Sequence, residues 1–348
     1  MIEFKKQSHD VYLLTQSPEG DLHNDVSSSG IKCFSYSIKK KNSFSFYINH
    51  IRFLSRFVKE NKINLVYSHL QQANIVSVFA QQLCNARFII CRHHSDSAYV
   101  EENKNVQRFD KIINRLGREF IAPSTKVYKQ MTEVEKVNPE KIYIIKYAYD
   151  FSKYQLPDNN SVKEIREKYR SKLLLIKVAR LIPEKRHIIL FRVIKKLISD
   201  GCDIKLIILS EGYMRSELEK YVSEKNLKEN IFFLGNKKNV MDYLAATDCV
   251  VHVSASEASN NLIKEAALAE KPVIVCRNVG DFDDYLTNNE NALLLSKENT
   301  EAELYLTLKK IYLKQIKTEG LGEELKKRVL ELFSIEKVIP EYNRLHNI

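Results

Sequence analysis

Residues 251–275 read VHVSASEASNNLIKEAALAEKPVIV. A buried-strand pattern ends near Ser254, a loop follows, and the spacing predicts a helix from about Asn260 or Asn261 through Ala269. Glu257 and Glu265 are separated by seven residues, which puts one in the loop and the other on the second turn of the helix. The backbone N–H groups at a helix amino end form a ready anion site, so a phosphate would rest on the amides near Asn261 and Leu262. Spacing alone also fits a capped surface helix with two solvated glutamates.

A second stretch, LLLIKVARLIPEKRHIILFRVIKKL at 173–197, has the same plan. An apolar strand ends at Arg180, a proline-containing turn holds Lys185, and an amphipathic helix starts near His187. Two cations on a loop at the carboxyl edge of a strand can neutralise a diphosphate as it leaves a carbon centre, although alone they also read as ordinary surface charges.

Outward from these stretches, short β-rich runs alternate with helical periods, the signature of parallel sheets wrapped by helices. Strands are expected at 173–178, 204–209, 231–234, 249–253, 273–276 and 292–295. An earlier series is expected at 10–15, 31–36, 64–68, 88–91, 120–122 and 142–145. The fold class is therefore α/β, with two tandem Rossmann-like domains. The stretch YDFSKYQLPDNN, around Asp150 to Asn160, breaks the period and marks the junction. Expected boundaries are 1–150, 151–330, and a C-terminal helix at 331–348 packing back on the first domain. Ligands of open α/β sheets bind beyond the carboxyl ends of strands, so the site is expected in a cleft between two facing sheets.

A chain of 348 residues with 44% hydrophobic and 28% charged residues has a globular composition. It contains no apolar run of the roughly 18 residues a membrane span requires, and MIEFKKQSHD is not a signal peptide; the expected location is cytoplasmic. Six dispersed cysteines without C-x-x-C spacing read as buried reduced thiols rather than a zinc or disulfide framework. Nine glycines are about 2.6% of the chain against roughly 7% ordinarily, so any nucleotide loop must work with substitutes.

Together the two stretches resemble the family 4 retaining glycosyltransferases of the GT-B fold. KVARLIPEKRH is similar to the family's G-R-L-x-x-x-K-G region, and Glu257 with Glu265 to its E-x7-E motif. SEGYMRSEL, IFFLGN, YLAATDCVVHVSAS, KPVIVCRNVGDF and NENALLLS follow in the family's order across the second half. The resemblance implies transfer of a sugar from a UDP- or GDP-sugar, with retained anomeric configuration, no cofactor and no obligatory metal. It implies that Arg180 and Lys185 hold the diphosphate with the amides of Asn261 and Leu262. It also implies that Glu265 binds the ribose and that Glu257 faces the transferred sugar.

In the first half, INLVYSHLQQANIVSVFAQQL and FIICRHHSD resemble the V-H-x-H-x-x-x-A-N and V-V-x-T-x-H segments. On that likeness His93 lies near the acceptor and the transferred sugar, His94 is the second choice, and His69 is structural. Read without the family, the His93–His94 pair caps a strand end. Family members open with a strand, a glycine-rich loop and a helix. This chain opens at what resembles the end of that helix. The missing strand is central in a doubly wound sheet, and without it its neighbours lack hydrogen-bonding partners; either Met1 is not the true start or the product is impaired. Several family glycines are replaced, by Ala179, Ser210, Ala258, Glu270, Asp281 and Ala292.

Residues 1–150 carry 22 basic and 15 acidic side chains. Segment 32–62 holds eight of the basic residues (Lys32, Lys39, Lys40, Lys41, Arg52, Arg56, Lys59, Lys62) against Glu60 alone. Phe44 to Asn61 reads as an amphipathic helix whose basic side suits an anionic membrane surface beside a lipid-linked or polysaccharide acceptor, or simply a solvated edge. No nucleic-acid motif accompanies the charge. Two other functions are kept in view: a nucleotide-sugar epimerase, and a degenerate nucleotide-sugar-binding protein without turnover.

Overall fold

The computed structural model describes residues 1–37, 43–96 and 103–346. Twelve named strands fall close to the expected positions: β1 Tyr12–Thr15, β2 Lys32–Ser35, β3 Leu65–His69, β4 Arg87–Cys91, β5 Glu119–Ala122 and β6 Ile142–Ile144. They continue with β7 Leu173–Val178, β8 Ile204–Leu209, β9 Ile231–Phe233, β10 Cys249–His252, β11 Val273–Cys276 and β12 Leu293–Leu295. The chain divides into two compact units. One comprises 1–93, 104–122 and 132–143, and the other 94–103, 123–131 and 144–348.

The larger unit is built on a six-stranded parallel sheet in the order β12-β11-β10-β7-β8-β9. Its strands are near-continuous apolar runs because helices cover both faces; β10 and β11 are buried throughout. The helix His187–Ser199 buries Leu190, Phe191, Val193, Ile194 and Leu197, each contributing roughly 1.5–3 kcal/mol on leaving water. The chain runs from β7 outward to β8 and β9, then returns to β10 on the other side of β7. The order therefore reverses at β7, and the loops after β7 and β10 leave adjacent carboxyl ends. That reversal is the topological switch point where open α/β sheets place ligands. The closing helix Ile335–His346 belongs to this unit and packs on the helix Leu321–Phe333.

In the smaller unit the expected break is present. β1 and β2 form their own parallel pair, and β3-β4-β5-β6 form a separate sheet. β1 and β2 are held by rings instead of by a continuous ladder: Tyr12 and Phe34 lie 6.3 Å apart, and both pack on Phe57 of the helix Ser43–Glu60 at 6.0 and 5.0 Å. Phe4, in the short helix Ile2–Lys6, stacks on Tyr67 of β3 at 6.4 Å. All six cysteines are free thiols, five of them buried.

The replaced glycines divide by backbone. Ser210 (φ 114°) and Glu270 (φ 54°) keep the left-handed conformation that glycine would adopt without strain, as does Arg186 (φ 52°), which follows Lys185. The glycines that remain include two that close approach requires. A Cβ on Gly212 would stand 2.4 Å from the Leu181 carbonyl, and one on Gly280 would stand 2.7 Å from Glu257 Cβ.

Glu270 thus carries strain that its exposed pair with Lys326 (2.8 Å) offsets little. Left-handed backbone costs an ordinary residue about 1–2 kcal/mol, and glycine's unfolded-state entropy returns roughly 0.5–1 of that, so Glu270→Gly is expected to stabilise the fold by about 0.5 kcal/mol in urea unfolding. A loss of stability would show that the side chain matters more than the backbone.

Candidate functional site

The loop after β7 delivers Arg180 and Lys185, and the loop after β10 delivers Glu257. Lys185 Nζ donates to Glu257 Oε1 at 2.6 Å and lies 3.8 Å from Glu184. The Arg180 guanidinium also stands 3.8 Å from Glu184, with its side chain 69% exposed, whereas Lys185 is 10% exposed. One cation is therefore open to solvent, and the other is already engaged by a carboxylate.

His252, the last residue of β10, is buried and places Nε2 2.7 Å from the same Glu257 oxygen, with the Asn260 amide 3.1 Å away. Burial keeps His252 below the usual imidazole range despite the carboxylate, so the ring is neutral and Nε2–H is the donor. Burial by itself would raise the Glu257 carboxyl. The hydrogen bond from His252, then the charge and hydrogen bond of Lys185, outweigh it and hold Glu257 well below the usual carboxylate range. A further cation, Lys177, lies wholly buried in β7 with no hydrogen bond among the described residues. Burial, then the charge of Lys185, pushes it down to about 7.

The loop is braced from within its own unit. Ser95 Oγ donates to the Glu257 carbonyl at 2.6 Å, and Ser256 Oγ donates to Asp96 at 2.6 Å. Asp96 in turn lies 3.6 Å from both Lys126 and Lys297. The Asn260 side chain caps the helix Asn261–Leu268 by accepting from the Ile263 amide. The amides of Asn261 and Leu262 have no partner among the described residues, while Tyr149 donates to the Asn261 side-chain oxygen at 2.6 Å. One turn on, Glu265 is half-buried without a hydrogen-bonding partner among the described residues, and burial raises its carboxyl. Unpaired and partly desolvated, it is suited to accepting hydrogen bonds from ligand hydroxyls.

In the other unit, His93 and His69 meet at 2.8 Å, Nε2 to Nδ1. Desolvation, then the amino group of Met1, lowers His69. The sequence assigned His69 a structural place; the structure makes it a partner of His93. No group of three or more His, Cys, Asp or Glu side chains among the described residues stands where it could hold a metal ion.

Residues 158–328 match the family described as glycosyl transferases group 1, and residues 2–153 match Glycosyltransferase Family 4. The chain belongs to the family 4 glycosyltransferases. It is 27% identical over 231 residues to an uncharacterized glycosyltransferase of Methanocaldococcus jannaschii, covering 63% of this chain and 57% of that one. It is 22% identical over 245 residues to the N-acetylgalactosamine-N,N'-diacetylbacillosaminyl-diphospho-undecaprenol 4-alpha-N-acetylgalactosaminyltransferase of Campylobacter jejuni, covering 68% and 64%. The chain thus spans less than two thirds of the length of these relatives. Among solved structures, Anabaena HepE in complex with UDP-glucose superposes with a TM-score of 0.83 at 17% identity, covering all of this chain and 94% of that one. This shows the two-domain GT-B fold.

Sequence reading of this chain missed His252, Ser95 and Asp96. The first left one trace, a histidine closing an otherwise apolar strand; the other two become visible only through contacts some 160 positions away in the chain. Glu257, ionised in the fold at a pH where an unfolded glutamate near 4.3 is protonated, contributes stability that is complete above that value and is lost as pH falls toward its lower folded value. The stability advantage of the wild type over Glu257→Gln is therefore expected to shrink by about 1 kcal/mol between pH 7 and pH 3.5 in urea unfolding. A pH-independent difference would mean that Glu257 titrates as it does in the unfolded chain.

Proposed function

We propose that this chain moves a sugar from a UDP-sugar to a saccharide or lipid-linked acceptor with retention of anomeric configuration. The observation that carries this reading is the meeting of three features at the β7/β10 switch point: the cations Arg180 and Lys185, the open amides of Asn261 and Leu262, and the unpaired carboxylate of Glu265 one turn along the same helix. UDP is favoured as the nucleotide because the similar Anabaena structure holds UDP-glucose.

In this reading Arg180, Lys185 and the helix amides bind the diphosphate and stabilise the negative charge that develops on it as the glycosidic bond breaks. Glu265 accepts from the ribose hydroxyls. Glu257 faces the sugar, and because Lys185 now rests on Glu257, donor binding redistributes that ammonium between carboxylate and phosphate. His93, its ring fixed by His69, hydrogen-bonds a hydroxyl of the acceptor.

Glu265→Ala is expected to weaken UDP binding at least tenfold by calorimetry with little change in melting temperature, and Arg180→Ala with Lys185→Ala to depress turnover at least a hundredfold. Wild-type affinity and rate in these variants would remove the residues from the site. Product analysis with labelled UDP-sugars separates transfer from the other functions: a new glycoside supports the proposal, whereas an isomerised donor or tight binding without product contradicts it.

The acceptor reading draws on the Campylobacter relative, whose name specifies a diphospho-undecaprenol acceptor, and on the helix Ser43–Glu60. That helix exposes Arg52, Arg56 and Lys59, with Phe44 76% exposed at its start; Lys39, Lys40 and Lys41 lie outside the described residues. No described helix is long and apolar enough to cross a membrane. Each basic residue near an anionic bilayer contributes about 1 kcal/mol, so Arg52→Glu with Arg56→Glu is expected to release the protein from phosphatidylglycerol vesicles in co-sedimentation. Equal sedimentation of variant and wild type would rule out this helix as the contact.

A further inference from the structure

Directly behind the Glu257 loop lies a second charged pair that the site chemistry does not use. Lys264, in the helix Asn261–Leu268, and Asp281, in the loop after β11, are both wholly buried and joined in a short ion pair. The ammonium also lies over the rings of Phe333 and Tyr285, at 4.3 and 4.7 Å. Ser259 Oγ donates to the same Asp281 oxygen at 2.5 Å and stands 3.2 Å from Lys264 Nζ.

Stability gives such a pair little reason to exist. Desolvating two charges costs several kcal/mol, and well-packed apolar replacements of buried pairs are often neutral or stabilising. Its placement supplies a reason. Ser259 is two residues beyond Glu257, and Gly280, adjoining Asp281, approaches Glu257 so closely that an added Cβ would stand 2.7 Å from Glu257 Cβ. The loop is thus gripped at Ser259 by a hydrogen bond and at Glu257 by van der Waals contact, both from the Gly280–Asp281 segment.

We propose that Ser259, Asp281 and Lys264 form a buried tether that fixes the Glu257 carboxylate against His252 and Lys185. They are positioning residues: they act through Glu257. What the tether accomplishes in turnover rests on the reading of Glu257 as the group facing the donor sugar, but the tether itself is defined within the unliganded protein.

The test uses the full chain labelled with 13C,15N-histidine, with His252→Gln identifying the His252 ring signals. In the wild type the Nε2 proton donated to Glu257 is expected as a protected, downfield resonance. Ser259→Ala is expected to lose that resonance while its melting temperature stays within about 2 °C of wild type, because one hydrogen bond is worth about 1 kcal/mol. Ser259→Thr, which keeps the hydroxyl, is expected to restore it.

The double variant Lys264→Met with Asp281→Leu replaces the charges with apolar bulk and keeps the fold. It is expected to lose the resonance as well, so the test survives should any single variant misfold. An unchanged His252 resonance in folded Ser259→Ala or in the double variant overturns the proposal. UDP titration of the wild type runs in parallel. If UDP does not bind but the resonance still responds, the tether stands and the donor-site reading fails; if UDP binds and the resonance does not respond, the tether fails and the donor site stands.

Discussion

A single carboxylate, Glu257, organises the larger unit's site, and its position follows from strand order. A parallel sheet that reverses direction at β7 must send the loops after β7 and β10 out of neighbouring strand ends, which brings Lys185 to Glu257 and leaves His252 beneath them. In a nearly dry setting the carboxylate stays ionised only because two donors converge on one of its oxygens. In the proposed function the arrangement stores the cation where a pyrophosphate would need it, and an incoming ligand would have to outcompete a carboxylate already in place.

Scarcity of glycine shapes how the loops are held. Where the backbone itself turns left-handed, Ser210, Glu270 and Arg186 accept the conformation with a side chain present. Where two segments must touch, glycine persists, as at Gly212 and Gly280. Asp281 illustrates a third outcome. Its φ of −93° makes no demand for glycine, and the side chain at that position serves as an anchor for Ser259 and Lys264.

Most of the fold was legible because strands of a parallel sheet covered on both faces read as unbroken apolar runs; β7, β8 and β11 begin and end where those runs do. The helix after Glu257 was legible from Asn260, whose side chain caps it. The roles of His252, Ser95 and Lys264 were not legible. A histidine in VHVSAS, a serine in RHHSD and a lysine on an apolar helix face look like solvated polar residues until distant segments are brought to them. The same holds for the two histidines of the smaller unit, 24 positions apart in sequence and 2.8 Å apart in space.

The binding geometry can be seen directly in a crystal structure of the full chain with UDP. The diphosphate oxygens are expected within hydrogen-bonding distance of Lys185 Nζ, the Arg180 guanidinium and the amides of Asn261 and Leu262, with the ribose hydroxyls on the Glu265 carboxylate. A nucleotide seated elsewhere, or one whose phosphates leave Lys185 bound only to Glu257, would contradict it.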